Sequence, residues 1–436
     1  MTATIETRRA SQRPRVRIPT AHRSREAVLF SGAIAVGLVH AFDDAFFHRQ
    51  PGVGLGQHAL AAAISLVVGV GVVLAFPSMR PAVRSAVALL LGALATVNGM
   101  LHVKHIADHG AAGGDLTGAL AAAAGAVLVG LAIAIPWLHR GEGRASRRRR
   151  WTYRVLALPL GLLAFVYTVV PMGIALTEVH KYREPIGAPP AGYEEVAFEA
   201  SDGVELSGWY RPTRNGATVL VVHGGGSDRT NSLAHGQLLA RHGYGVLLHD
   251  SRGRGKSEGV QNAWGWGWAE DVAGALAFLK ARDEVDPERI GALGLSTGAD
   301  VLVEVAGQRT DLRAVVGDGT AAGSFDDQQR VLGMNALTPF NAVDFATVRA
   351  IAGSRPGPVL EDMVKRITSP MLLVAAGPGE KPYGEAYDRA AGDRPLDVWY
   401  LPDVAHTAAI REVAPEYERR VTRFFDDALG AGGRGG

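Results

Sequence analysis

Arg289-Ile290-Gly291-Ala292-Leu293-Gly294-Leu295-Ser296-Thr297-Gly298 is the stretch on which the reading of this 436-residue chain turns. Its apolar first part has the length of a buried strand, and a helix is expected from Thr297 to Gly307. A serine between glycines at such a junction is the pattern of a nucleophile elbow, where small neighbours let strand and helix approach while a sharp turn displays the hydroxyl. Ser296 is therefore expected to be a nucleophile. A serine hydroxyl is weak until a base takes its proton, and the oxygen that becomes charged in the transition state needs N–H donors.

Both requirements find candidates along the chain. Leu220-Val221-Val222-His223-Gly224-Gly225-Gly226 ends a strand in a glycine loop whose backbone amides can reach an oxyanion, and the amides of Gly225 and Thr297 form the expected pair. His223 itself reads as a structural residue of that loop. The expected base is His406, in Leu401-Pro402-Asp403-Val404-Ala405-His406-Thr407, because it follows the last strand and precedes the final helix. His235, His242 and His249 precede Ser296 and fit a Ser, acid, His order badly. For the acid, Gly377-Pro378-Gly379-Glu380 follows the strand Met371 to Ala376 and reads as a loop that puts Glu380 where an imidazole must be oriented. Asp318, ending the preceding strand, is the substitute; Asp403 is too near His406 in the chain.

The surroundings have the same alternation. From Gly187 onward short Val/Leu-rich runs alternate with amphipathic segments: strands at Glu194 to Glu199, Glu205 to Arg211, Thr218 to Val222, Gly245 to His249, Arg289 to Leu295, Arg313 to Val316, Met371 to Ala376 and Asp397 to Leu401. The first two read as an antiparallel pair, and the unalternating others as strands of a mainly parallel sheet buried on both faces. Helices are expected near Thr230 to His242, Trp268 to Ala281, Val359 to Arg366, Gly384 to Ala391 and Pro415 to Leu429, so residues 187–431 form one α/β domain. Residues 320–358, weakly periodic and rich in Gly and Pro, read as a small cap, and 432–436 as a flexible tail.

The first 180 positions differ in kind. Five apolar stretches, near Val28 to Phe47, His58 to Phe76, Ala82 to Val103, Leu116 to Leu138 and Tyr153 to Val179, each have about the 20 residues needed to cross a bilayer core of roughly 30 Å. Residues 28–179 are thus expected to be an all-α transmembrane bundle, preceded by a basic tail at 1–27. A cleavable signal peptide would leave four stretches unexplained. Arginines crowd the tail (Arg8 to Arg25) and the loop before the fifth stretch (Arg140, Arg144, Arg147 to Arg150), placing both in the cytoplasm and the α/β domain on the extracytoplasmic side of the cell membrane. The lipid bilayer is the expected partner.

Other chemistries are weighed against this. The charge is near balance, 45 Lys+Arg against 43 Asp+Glu, and its segregation suits membrane followed by enzyme, with no nucleic-acid partner. With no cysteine there is no disulfide, thiolate site or cysteine nucleophile. Gly255-Lys256-Ser257 ends like a phosphate-binding loop, but Asp250 stands where its first glycine belongs. Trp264-Gly265-Trp266-Gly267-Trp268 reads first as packing at a helix start, and otherwise as a rest for lipid or an apolar substrate. His40, Asp43, Asp44 and His48 end the first apolar stretch, His58 opens the second, and Asn98, His102, His105, Asp108 and His109 end the third. Ionisable groups near hydrocarbon mark ion, proton or metal sites, or else a network that fixes helix packing. His40, Asp43, Asp44, His102 and His105 are the metal-ligand candidates.

Taken together, His223 to Gly226, Asp250-Ser251-Arg252-Gly253-Arg254-Gly255-Lys256-Ser257, Gly294 to Gly298 and Pro402 to Thr407 resemble the α/β-hydrolase superfamily, especially its peptidase-S33 and dienelactone-hydrolase-like branches. The resemblance covers nearly all of the soluble half and none of the membrane half. It implies an α/β hydrolase fold with an eight-stranded, mostly parallel sheet flanked by helices, a Ser, acid, His triad and no cofactor. Glu380 stands where aspartate is more usual, and Asp403 where glycine is common. The expected activity is hydrolysis of a small-molecule acyl substrate, an ester, thioester or amide. Transfer of the acyl group to another acceptor uses the same residues, and a transporter or ion-binding protein with a regulatory hydrolase domain is the rival class.

Overall fold

The computed structural model describes residues 20–48, 55–111, 113–139, 163, 165–179, 183 and 185–430. The chain divides into two compact units: Met1–Phe42 with Ala62–Arg144, and Asp43–Ala61 with Ala145–Gly436.

The first unit is helical. It contains most of α1 (Thr20–Phe46) and α2 (Leu55–Ala75), then α3 (Pro81–His109) and α4 (Asp115–Leu138). Among the described residues, three stretches are long and apolar enough to cross a membrane: Arg25–Phe46, Pro81–Val103 and Asp115–Leu138. Ala62–Ser78 and Val166–Leu176 are shorter apolar helices, and most of the fifth expected stretch lies outside the described residues. Helices α3 and α4 approach through small residues. A Cβ on Gly99 would lie 2.4 Å from the Ala122 amide, and one on Gly125 would lie 2.6 Å from that of Thr96. Such close approach maximises dispersion contact between the two helices. Glu26 accepts from Arg84 Nη1 at 2.7 Å and contacts His139 Nε2 at 2.8 Å; Glu26 and Arg84 are both buried, and each offsets the other's desolvation.

The second unit is built on an eight-stranded sheet of order β1-β2-β4-β3-β5-β6-β7-β8. Its strands are Glu194–Glu199, Glu205–Arg211, Thr218–Val222, Gly245–His249, Ile290–Leu295, Ala314–Asp318, Met371–Ala376 and Leu396–Leu401. β1 and β2 are antiparallel, β2 runs antiparallel to β4, and every remaining pair is parallel. The residues of β3, β4, β5, β6 and β7 are all buried, because helices cover both faces. One cover holds α7 (Trp268–Lys280) and α8 (Thr297–Gln308), packing Leu276, Val301 and Leu302 against Leu220, Leu247 and Ala292. The other holds α6 (Leu233–Arg241) and, after the short α13 (Ala409–Glu412), α14 (Ala414–Leu429), packing Leu239, Tyr417 and Phe425 against Val219, Leu293 and Val316.

Three expectations change. The cap contains two helices, α9 (Phe325–Leu332) and α10 (Thr338–Ala352). α9 starts where the Ser324 hydroxyl accepts from the Asp327 amide, and α10 has proline in its first turn, where a missing N–H costs nothing. Helix α11 (Leu360–Val364) follows, and α12 (Gly377–Ala391) begins seven residues before the expected Gly384, so Gly377 to Glu380 is a first helical turn and not a loop. Pro378 suits that turn, and the Glu380 Oε2 accepts from the Ala376 amide at 2.7 Å, giving an otherwise orphan donor its partner. α6 is shorter than expected at its start. After a π-helical turn at Phe165–Val169, α5 (Val170–Val179) packs against α10 within this unit.

Candidate active site

Ser296 sits between β5 and α8 with φ 52° and ψ −122°, a left-handed conformation that side chains rarely adopt. Its neighbours explain how the turn is tolerated. A Cβ on Gly294 would lie 2.4 Å from the Gly298 carbonyl oxygen, and one on Gly298 would lie 2.4 Å from that of Val222. The Ser296 amide donates to the Asp318 carbonyl at 2.7 Å, tying the turn to β6. The hydroxyl is thereby aimed outward at the C-terminal edge of the sheet.

His406 and Glu380 reach the same place from the ends of β8 and β7. His406 Nε2 lies 2.9 Å from Ser296 Oγ, and His406 Nδ1 lies 2.5 Å from Glu380 Oε1. Glu380 is buried and its other oxygen is held by the Ala376 amide, so its orientation is set from both sides. The hydrogen bond that His406 donates to Glu380 raises the His406 pKa above its ordinary 6.5, outweighing partial burial. Glycine at 319 is required here, since a Cβ would stand 2.8 Å from His406 Cε1.

Asp318 is not hydrogen-bonded to the imidazole. It is fully buried beside the Tyr417 ring, and burial pushes its carboxyl up to about 7. Asp403 is exposed at the β8 end. Sequence reading missed Asp300, one turn into α8: its Oδ1 accepts from the Ala321 amide at 2.8 Å, and burial pushes it up to about 8. It braces the start of the cap beneath the site. An acidic residue four positions after the elbow serine was its only sequence signal.

The glycine loop after β3 lies against the elbow. A Cβ on Gly224 would come 3.3 Å from Ser296 Cβ, and one on Gly225 would come 2.1 Å from the Ala263 carbonyl oxygen and 2.6 Å from Thr297 Oγ1. Thr297 Oγ1 donates to that same carbonyl at 2.8 Å. Gly225 and Thr297 are thus neighbours beside the serine. His223 is fully buried, accepts from the Ser251 amide at Nε2 (3.0 Å) and donates from Nδ1 to the Gly224 carbonyl (2.8 Å); burial lowers its pKa, so it serves as a neutral brace. His235 and His249 are buried, with pKa values pushed down to about 4 and about 3, and exposed His242 contacts Glu418 at 2.8 Å.

Asp250 to Ser257 is a structural loop. Asp250 accepts from the amides of Arg229 and Lys256 and from Arg229 Nε, while Arg252 is held by Asp271 and Asp202. A Cβ on Gly255 would come 2.0 Å from Asp250 Oδ2, which explains that glycine without any phosphate. Of the tryptophans, Trp268 is buried at the start of α7, Trp266 donates to the Gly323 carbonyl at 2.9 Å, and Trp264 stacks on Phe345 of the cap at 4.1 Å.

Among the metal-ligand candidates, the His40 and His102 rings meet edge to face at 4.8 Å. His40 contacts Asn98 and Thr117, each at 3.2 Å, and His102 Nδ1 contacts Asp115 at 3.1 Å. Asp44 follows His40 by one turn of α1 but falls in the second unit. Asp43 instead faces His48 at 2.9 Å. The side chains of His58, His105, Asp108 and His109 lie outside the described residues.

Parts of this unit are similar to known proteins. Residues 213–342 match the family model "Serine aminopeptidase, S33". Uncharacterized protein YfhR of Escherichia coli K12 is 32% identical over 175 residues, covering 37% of this chain and 60% of the relative. Uncharacterized protein Rv2307c of Mycobacterium tuberculosis is 41% identical over 125 residues, covering 28% of this chain and 43% of the relative. Quorum-quenching protein AidA of Acinetobacter baumannii is 30% identical over 171 residues, covering 37% and 55%. The chain therefore spans less than two thirds of the length of these curated relatives. The Pyrococcus furiosus esterase Pf2001 aligns with 57% of this chain and 99% of its own, at TM-score 0.47 and 23% identity. The eight-stranded, mostly parallel sheet and the S33 match over residues 213–342 make the C-terminal unit hydrolase-like, with an α/β-hydrolase fold.

Proposed function

We propose that this protein is a membrane-anchored serine hydrolase that cleaves an ester, thioester or amide through an acyl-enzyme. The carrying observation is the unbroken line Glu380, His406, Ser296, with contacts of 2.5 and 2.9 Å. His406 takes the proton of Ser296 Oγ as that oxygen attacks the acyl carbonyl, and Glu380 holds the imidazole in place and balances its charge. The amides of Gly225 and Thr297 stabilise the oxyanion, and the proton passes from His406 to the leaving group. Water, activated by the same imidazole, then frees the acid. An oxyanion donor of this kind contributes about 3–4 kcal/mol. The apolar helices hold the enzyme in the cell membrane, N-terminus in the cytoplasm and hydrolase domain outside. Labelling of the full chain by a fluorophosphonate tests this reading: it is expected for wild type and absent for Ser296→Ala, and equal labelling of both would refute it.

A second reading concerns the first unit alone. His102 Nδ1 is occupied by Asp115, which leaves Nε2 for an ion, the usual arrangement around a metal-bound histidine. With His40, once that ring gives up its contact with Asn98 or Thr117, it would make a histidine pair suited to zinc. Metal analysis of the purified chain is expected to show bound metal that is lost in His40→Ala and His102→Ala; near-zero content in all three would remove the idea.

A further inference from the structure

The hydrolase unit carries apolar surface that its catalytic machinery does not use. On the cap, Leu332 is 42% exposed, Met334 88%, Leu337 60% and Ile351 37%. The helix packed against that cap is α5, which ends the fifth apolar stretch. α5 presents Ala175 and Val179, both buried, to the cluster that holds Phe345 and Val348 of α10, while Val166 and Ile174 are exposed. One face of this segment thus belongs to the cap, and another has the character of a lipid-facing surface.

A chain of packed neighbours joins the α5–α10 contact to the nucleophile. Half-buried Trp264 stacks on Phe345, and the preceding residue, Ala263, offers the carbonyl that accepts from Thr297 beside Ser296. Polar atoms gather at the same place. Arg254 Nε and Nη2, Asp344 Oδ1, Glu178 Oε2 and Trp264 Nε1 are buried without hydrogen-bond partners, and Glu178 faces both Arg254 and Asp344. Arg254 and Asp344 are 4% and 5% exposed. Buried donors and acceptors left unpaired are costly, and a ligand that supplies both kinds of partner recovers that cost.

We propose that the cap is seated on the bilayer and that the substrate is a membrane-resident amphiphile, reaching Ser296 along the α5–α10 seam. Its hydrocarbon chain runs past Trp264 and Phe345, and its polar end is received by Arg254, Glu178 and Asp344. A lipid surface suits the exposed residues because the cap's neighbour is itself the end of a membrane segment. This proposal rests on the hydrolase reading above.

The test uses the full chain in phosphatidylcholine nanodiscs, with p-nitrophenyl decanoate, which partitions into lipid, and water-soluble p-nitrophenyl acetate. The readout is the ratio of kcat/KM for decanoate to that for acetate. Two variants are compared: Met334→Glu/Leu337→Glu, whose sites are exposed and tolerate charge, and Phe345→Ala. Each is expected to lower the ratio by about tenfold while fluorophosphonate still labels Ser296. Ratios within about twofold of wild type in both variants, with hydrolysis still dependent on Ser296, overturn the proposal. Failure of wild type to hydrolyse either ester would instead strike the hydrolase reading itself.

Discussion

His406 holds its proton more tightly than a free imidazole because Glu380 accepts at Nδ1 from a buried position. A base must be neutral to act, so the acid limb of the kcat/KM profile is expected to have its midpoint above 6.5. In Glu380→Gln the stabilising anion is gone, and the midpoint should move down while kcat falls by about 10³–10⁴. A pH series on both proteins checks the sign, and an unmoved midpoint would argue that Glu380 does not act on His406. Gly298 offers a second test. The Cβ of Gly298→Ala would lie 2.4 Å from a backbone oxygen of β3, which cannot rotate away, so the elbow must shift. A stability loss of about 1–3 kcal/mol is expected, with weaker fluorophosphonate labelling. The glycines around Ser296 were legible in the sequence because backbone contact leaves one residue type; Asp300 was not, since an acid in a helix ordinarily faces water.

Among the elements, the Asp250 to Ser257 loop shows how the glycine-rich segments keep their shape. Arg229 and Asp250 are fully buried and held by two side-chain contacts of 2.9–3.0 Å, so removing one charge strands the other. Arg229→Met is expected to cost about 3–5 kcal/mol, read as a lower thermal transition of the hydrolase unit. A loss below about 1 kcal/mol would mean that the pair is screened by water. Strand positions were readable almost residue by residue, because fully buried strands demand unbroken Val/Leu runs bounded by turns. The start of α12 was not. Gly377-Pro378-Gly379 has loop composition, and only the Ala376 amide reaching the Glu380 carboxylate shows why it winds as helix.

For the whole molecule, the absence of cysteine makes orientation directly measurable. Arg423, its side chain 82% exposed on α14, can be replaced by cysteine without touching the site. Arg423→Cys is expected to react with a membrane-impermeant maleimide on intact cells, as an extracytoplasmic hydrolase domain requires; labelling only after lysis would reverse the topology. By itself the sequence determined the order of the strands along the chain, and the serine, the loop and the histidine as candidates, because burial periodicity and glycine-only contacts are written locally; the end of the fifth apolar stretch, expected in the helical bundle, belongs to the hydrolase unit. Which carboxylate meets His406 was decided only by the tertiary structure. Asp318 ends β6 and Glu380 follows the end of the adjacent parallel β7, but the first is turned toward Tyr417, and the second is swung by a helical turn onto the imidazole. The packing of α5 on the cap is of the same kind, since a contact between segments more than 150 residues apart depends on how the sheet and its helices close, not on either segment alone.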